Sequence, residues 1–133
     1  MGDQQGTTEM TVELGTFSKG SPGNTTVVLN TAGFTPDRIR FKVSQKFNTS
    51  DTANHLSEGV TNGTSSQYTS HFTDGTGSQT KEGTNKVISH WARVGGVLTE
   101  VVAATVVSIG EEEFTLNFSV ADANYRIHME ATG

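Results

Sequence analysis

The sequence predicts an all-β chain folded as an antiparallel β-sandwich, jelly-roll-like, with about eight strands. Three observations predict it. Apolar residues recur at every second position in several segments; Gly, Pro, Asn and Asp clusters separate those segments; and apolar spacing of helical period is almost missing.

The first alternation sets Met10, Val12 and Leu14 against Thr11 and Glu13, and the turn cluster Ser21-Pro22-Gly23-Asn24 ends it. Residues 1–8, ahead of this strand, are polar and read as an N-terminal arm. A short run, Thr26 to Leu29, stops at Ala32-Gly33. The next strand sorts its side chains most cleanly. Ile39, Phe41 and Val43 point to the core, while Arg38, Arg40, Lys42 and Lys46 form a basic stripe on the other face.

A tract of Ser, Thr, Gly and Asn follows. The sequence predicts a long polar loop region over 48–85, with at most a short strand near Tyr68 to Thr73. Regular structure returns with Lys86 to Ala92, a Gly95-Gly96 hairpin turn and Val97 to Ile109. After a tip at Gly110 to Glu112, Phe114, Leu116, Phe118 and Val120 alternate with Thr115, Asn117 and Ser119. The last strand sets Tyr125, Ile127 and Met129 against Arg126, His128 and Glu130. The final third is therefore an antiparallel meander, and residues 1–133 form a single domain.

The strand from Val97 to Ile109 breaks the one-sided pattern, because apolar residues occupy both of its parities. Two readings explain it. A β-bulge near Ala103-Ala104 switches the face midway, or a second subunit covers Leu98, Val102 and Val106. The second reading implies a closed homo-oligomer, a trimer, because symmetric closure satisfies a self-complementary patch.

Composition bounds the function. A formal charge of −5 and a pI near 5.2 oppose a nucleic-acid role, which needs a basic field to displace counterions. The chain contains no cysteine and therefore no disulfide framework. The longest apolar stretch, Val101 to Ile109, is about half the length that spans a bilayer, so no membrane role is expected. His55, His71, His90 and His128 fall in four separate segments and read as surface or loop histidines, with no metal expected. His71 with Asp74 supplies only two weak ligands, and Glu111-Glu112-Glu113 reads as a solvated tip. No nucleophile elbow or phosphate-cradling loop occurs, so neither enzymatic activity nor a cofactor is expected. The candidates for ligand contact are Tyr68 and Phe72, as a sugar-stacking platform, and the stripe Arg38, Arg40 and Lys42, facing an acidic neighbour or an anionic polysaccharide. Trp91, inside a strand, reads as core.

Two segments carry a family resemblance. Gly33-Phe34-Thr35-Pro36-Asp37-Arg38-Ile39-Arg40-Phe41 is similar to a "GF-x-P" entry into an alternating strand. Glu113-Phe114-Thr115-Leu116-Asn117-Phe118, preceded by Val106-Val107-Ser108 and followed by the Tyr125 to Ala131 strand, is the second. Together they resemble small β-sandwich proteins in the virions of tailed bacteriophages and related prokaryotic viruses, although Glu113 stands where that pattern carries glycine. The resemblance covers about half of the chain and assigns no functional residue. It implies location in a virion, as a capsid decoration or head spike or turret subunit among capsid or tail proteins. The alternative it implies is a tail-fibre or H-type-lectin-like adhesin for host surface glycan.

Overall fold

A computed structural model describes residues 10–44, 54–75 and 77–133. The expected arm at 1–8, Lys46 of the basic stripe and the residues at 48–53 lie outside the described residues. Ten strands occur among those described: β1 (Val12–Phe17), β2 (Gly23–Val28), β3 (Arg38–Ser44), β4 (Asn54–Thr61), β5 (Ser66–Asp74), β6 (Gly77–Gly83), β7 (Ile88–Val94), β8 (Val97–Gly110), β9 (Glu113–Val120) and β10 (Ile127–Thr132). They form a six-stranded sheet, β1-β10-β3-β4-β5-β6, packed on a four-stranded sheet, β2-β9-β8-β7, and every pairing is antiparallel. The predicted sandwich is the observed fold. Its ends wrap as a jelly roll does, with β1 on β10 in one sheet and β2 on β9 in the other. Its middle is two plain meanders, β3 to β6 and β7 to β9.

Between the sheets the alternation seen in the sequence becomes a core. Ile39, Phe41 and Val43 of β3 and Ile127, Met129 and Ala131 of β10 face Phe114, Leu116 and Phe118 of β9. Phe41 and Phe114 meet nearly edge-on with centroids 5.7 Å apart, and Phe17 joins Phe41 and Phe118 at 6.5 Å. Such pairings add to the area term because ring edges carry positive charge and ring faces negative.

The first motif segment meets the residue just ahead of the second, Glu112. Gly33 turns with φ at +72°, and Phe34 and Pro36 are buried. Glu112, itself left-handed at φ +62°, accepts from Gly33 N at 2.9 Å with its carboxylate. Its own N–H donates to Phe34 O at 2.7 Å, and its carbonyl accepts from Leu29 N at 2.7 Å. A left-handed conformation is costly for a residue with Cβ, and these three bonds hold it. Glu112 is therefore a structural clamp, not the solvated tip its neighbours suggest. Glu13 works on the same turn: its carboxylate accepts from Asn30 N, Thr31 N and the Thr31 hydroxyl at 2.8 to 3.0 Å. The Asn30 amide bond holds its carboxyl below the ordinary value of 4.5; desolvation opposes it, and the weaker Thr31 bonds add to the lowering.

The long-loop expectation for 48–85 is corrected: β4, β5 and β6 fill most of it. The physical reason is an inverted pattern. In β4 the inward positions are His55, Ser57, Gly59 and Thr61, whereas Leu56, 46% exposed, and half-buried Val60 face out. The turn between β4 and β5 is set by Asn62, whose side-chain oxygen accepts from Thr64 N at 2.9 Å and Ser65 N at 2.7 Å.

The two-sided strand is explained by register, in favour of a bulge. Ala103 pairs with Val120 but Ala104 with Phe118, so one residue of β9 is skipped there; Val107 of β8 is skipped between Val106 and Ser108. On the β7 side His90 pairs with Val102 and Trp91 with Glu100. Each shift changes which parity faces the core. Val102 is 1% exposed inside the core and Val106 packs against that core half-buried, so neither presents a second apolar face. Leu98 is half-buried near the hairpin tip, next to exposed Val97.

Candidate functional site

The outer face of the six-stranded sheet collects most of the exposed chemistry. On β3, Arg38, Arg40 and Lys42 all point outward between buried Ile39, Phe41 and Val43, as the alternation requires. Antiparallel register sets Arg40 between Glu130 of β10 and Val60 of β4, and Lys42 between His128 and Glu58. Lys42 Nζ lies 4.0 Å from Glu58, both largely exposed, so the stripe is partly answered by acids and its pairing is weak in water.

Beside the stripe two open grooves, of about 550 and 750 Å³, share Val60, Gln67 and Thr84 in their walls. The first is lined by Arg40, Glu58, Tyr68, Thr69 and Glu82; the second by Arg38, Asn62, Ser66, Asn85 and Lys86. Guanidinium, carboxylate, amide and hydroxyl groups alternate along these walls. That mixture donates and accepts in many directions, which suits a polyhydroxylated ligand or a wet protein rim.

The aromatic candidates separate. Tyr68 lines the first groove, half-buried, with its ring over Gly83; a Cβ there would stand 2.9 Å from the ring. Phe72 is corrected as a contact residue: it is 2% exposed, stacked on His55 at 4.6 Å and covered by the Arg93 guanidinium at 5.2 Å. Trp91 is half-buried, its indole N–H donating to Ser89 Oγ at 2.9 Å and Lys81 Nζ 4.8 Å above the ring. Ser89 Oγ in turn donates to Glu100 at 2.5 Å, and Glu100 pairs with Lys86 at 2.8 Å.

The surface reading of the histidines holds for His71 and His128 and is corrected for the other two. His71 is exposed with both ring nitrogens 3.0 Å from the hydroxyls of Thr80 and Thr73; the side chain of Asp74, its suggested companion, lies outside the described residues. His90 is fully buried and His55 is 9% exposed. Among the described residues no three His, Cys, Asp or Glu side chains gather as a metal site. Sequence reasoning missed the buried pair because period two around His90 is masked by apolar neighbours on both parities, and the inward face of β4 is polar. No family model, curated protein or solved structure matches this chain.

Proposed function

We propose that this chain is a non-enzymatic structural protein of a virion surface, a capsid decoration or head-spike subunit that assembles as a homo-oligomer, a trimer. The observation that carries the packing half of this reading is an apolar row on an open sheet edge. Met10, Val12 and Leu14 are 68%, 50% and 71% exposed, and β1 has no strand partner on its outer side among the described residues. Edge strands of stable monomers are usually protected by charge, proline or a cover, and the outward row of β1 carries none of these. The viral half rests on the Gly33 to Phe41 and Glu113 to Phe118 segments, which meet in the core through Phe41 and Phe114, 5.7 Å apart. Light scattering on the full chain tests the assembly: a trimer that Leu14→Lys dissociates supports it, and a strict monomer that fails to bind viral shell protein removes it.

The second reading, a tail-fibre adhesin that binds host surface glycan, is favoured by the polar groove holding Arg40, Glu58, Gln67 and Tyr68. Glycan-array binding that Arg40→Ala and Tyr68→Ala both abolish would select it over decoration. An array with no signal at any glycan would remove it.

A further inference from the structure

Inside the sandwich, where β4 and β5 cover β7, two imidazoles lie with ring centroids 6.0 Å apart. Tyr125 stands edge-on to His90 at 5.0 Å, and Phe72 stacks on His55. The hydroxyl of Ser57 donates to Ser70 Oγ at 2.7 Å, so its oxygen accepts from His90 Nδ1–H at 2.5 Å. The lone pair of neutral His90 is therefore on Nε2. That atom is buried and has no hydrogen-bond partner among the described residues. Ser70 Oγ also accepts from the backbone N–H of Trp91 at 3.3 Å, so one hydroxyl pair ties β4 and β5 to both His90 and its neighbour in β7.

A proton arriving at Nε2 would find no acceptor there and a second imidazole nearby. The surrounding charges do not help it. From β7, Arg93 lies over Phe72, and from β6, Lys81 lies over Trp91. Glu100 of β8 is engaged by Lys86 and Ser89. Glu58 of β4 lies on the outer face toward Lys42, and Asp122, ahead of Tyr125, accepts from Asn124. Burial first, then the charge of His55, push His90 from its ordinary 6.5 down to about 3.

We infer that the His55–His90 pair is an acid-sensitive latch: protonation of His90 releases β7 from β4 and β5 while the phenylalanine half of the sandwich stays closed. Locality follows from the bonds involved. No sheet ladder joins β7 to β4 or β5, so only packing, the Gly59–Val87 backbone contact and the hydroxyl and imidazole bonds hold them, whereas β7 keeps its ladder to β8. The sign follows from linkage. The closed form binds the proton less tightly than the open form, so its stability is complete above about 6.5 and is lost as pH falls toward about 3. Over that window each pH unit favours the open form about tenfold more.

Trp91 is the only tryptophan and hangs from Ser70, so its fluorescence reports the latch. The experiment takes the full chain from pH 7.5 down to about pH 3, following Trp91 emission and residue-resolved amide hydrogen exchange corrected for intrinsic rates. The expected result is a reversible emission change between about 3 and 6.5. Amides of β4, β5 and β7 should lose protection at least about tenfold more than those of β3, β9 and β10. His90→Asn keeps a donor toward Ser57 but does not titrate, and should abolish the transition. If that variant does not fold, His55→Leu decides, and should move the midpoint to lower pH. His71→Asn and His128→Asn should leave it in place. Equal loss of protection in all strands, an unaltered transition in His90→Asn or His55→Leu, or a shift caused by the exposed histidines would overturn the latch.

Discussion

Where β3 and β10 face β9 the interlayer is built from Phe41, Ile127, Phe114, Leu116 and Phe118, whereas where β4 and β5 face β7 it is built from His55, Ser57, Ser70 and His90. Of the residues described, the buried polar ones, His55, Ser57, Thr61, Ser70, Ser89 and His90, all belong to β4, β5 and β7. The first half is held by area and ring packing, which tolerate small shifts. The second adds to the packing of Phe72, Ile88 and Ala92 a few directed bonds and a backbone contact, for which position matters at the level of single atoms. The same fold therefore contains a robust half and a sensitive one.

The largest break of the comparison is expected in the robust half. Phe41→Ala removes a ring that meets both Phe17 and Phe114, and should cost about 3–5 kcal/mol in urea unfolding. In the sensitive half one added methyl group should cost about 1–3 kcal/mol or more. A Cβ on Gly59 would stand 1.6 Å from the carbonyl oxygen of Val87, a backbone atom that cannot swing aside. If Gly59→Ala is neutral, β4 and the approach to β7 are not in the close contact described, and the sensitive half is looser than argued.

Ser57→Ala should cost about 1–3 kcal/mol, because His90 Nδ1–H loses its acceptor while staying buried. The same change made at exposed Ser78 on β6 should be nearly silent, and comparing their unfolding midpoints measures how much burial contributes. The smallest effect concerns acid and the robust side. Glu13 has a lowered carboxyl pKa, so its contribution is present above the ordinary 4.5 and lost as pH falls below it. Glu13→Gln should lower Tm modestly at pH 7 and reduce the loss of Tm on acidification below 4.5, a difference that thermal melts at the two pH values would read directly.

Legibility in the sequence followed the same division. β3, β9 and β10 were readable because their apolar residues, from Ile39, Phe114 and Ile127 onward, fall at every second position. β1 was readable as a strand but not for its face, since Val12 and Leu14 are exposed and Phe17 packs on the core. The Gly95-Gly96 turn was readable because both residues adopt positive φ, at 59° and 84°, as a two-residue hairpin loop requires. β4 was not readable: it points Ser57 and Thr61 inward and Leu56 outward, so its apolar pattern indicates the wrong face. Of the contact candidates, the outward placement of Arg38, Arg40 and Lys42 followed from period two alone. The burial of Phe72 and Val102 depended on neighbouring strands that local spacing does not specify.

By itself the sequence determined the two-layer antiparallel architecture, because strand period and turn chemistry are properties of consecutive residues. Only the tertiary structure decided that two histidines lie inside it, that Glu112 clamps the turn before β3 and that the apolar parities of β8 exchange faces. Each of those depends on groups far apart in the chain: Ser57 meets His90, Glu112 meets Gly33, and β9 skips a residue opposite Ala103. Burial of a polar group is settled by whether a distant partner reaches it, and a local pattern contains no information about that distance.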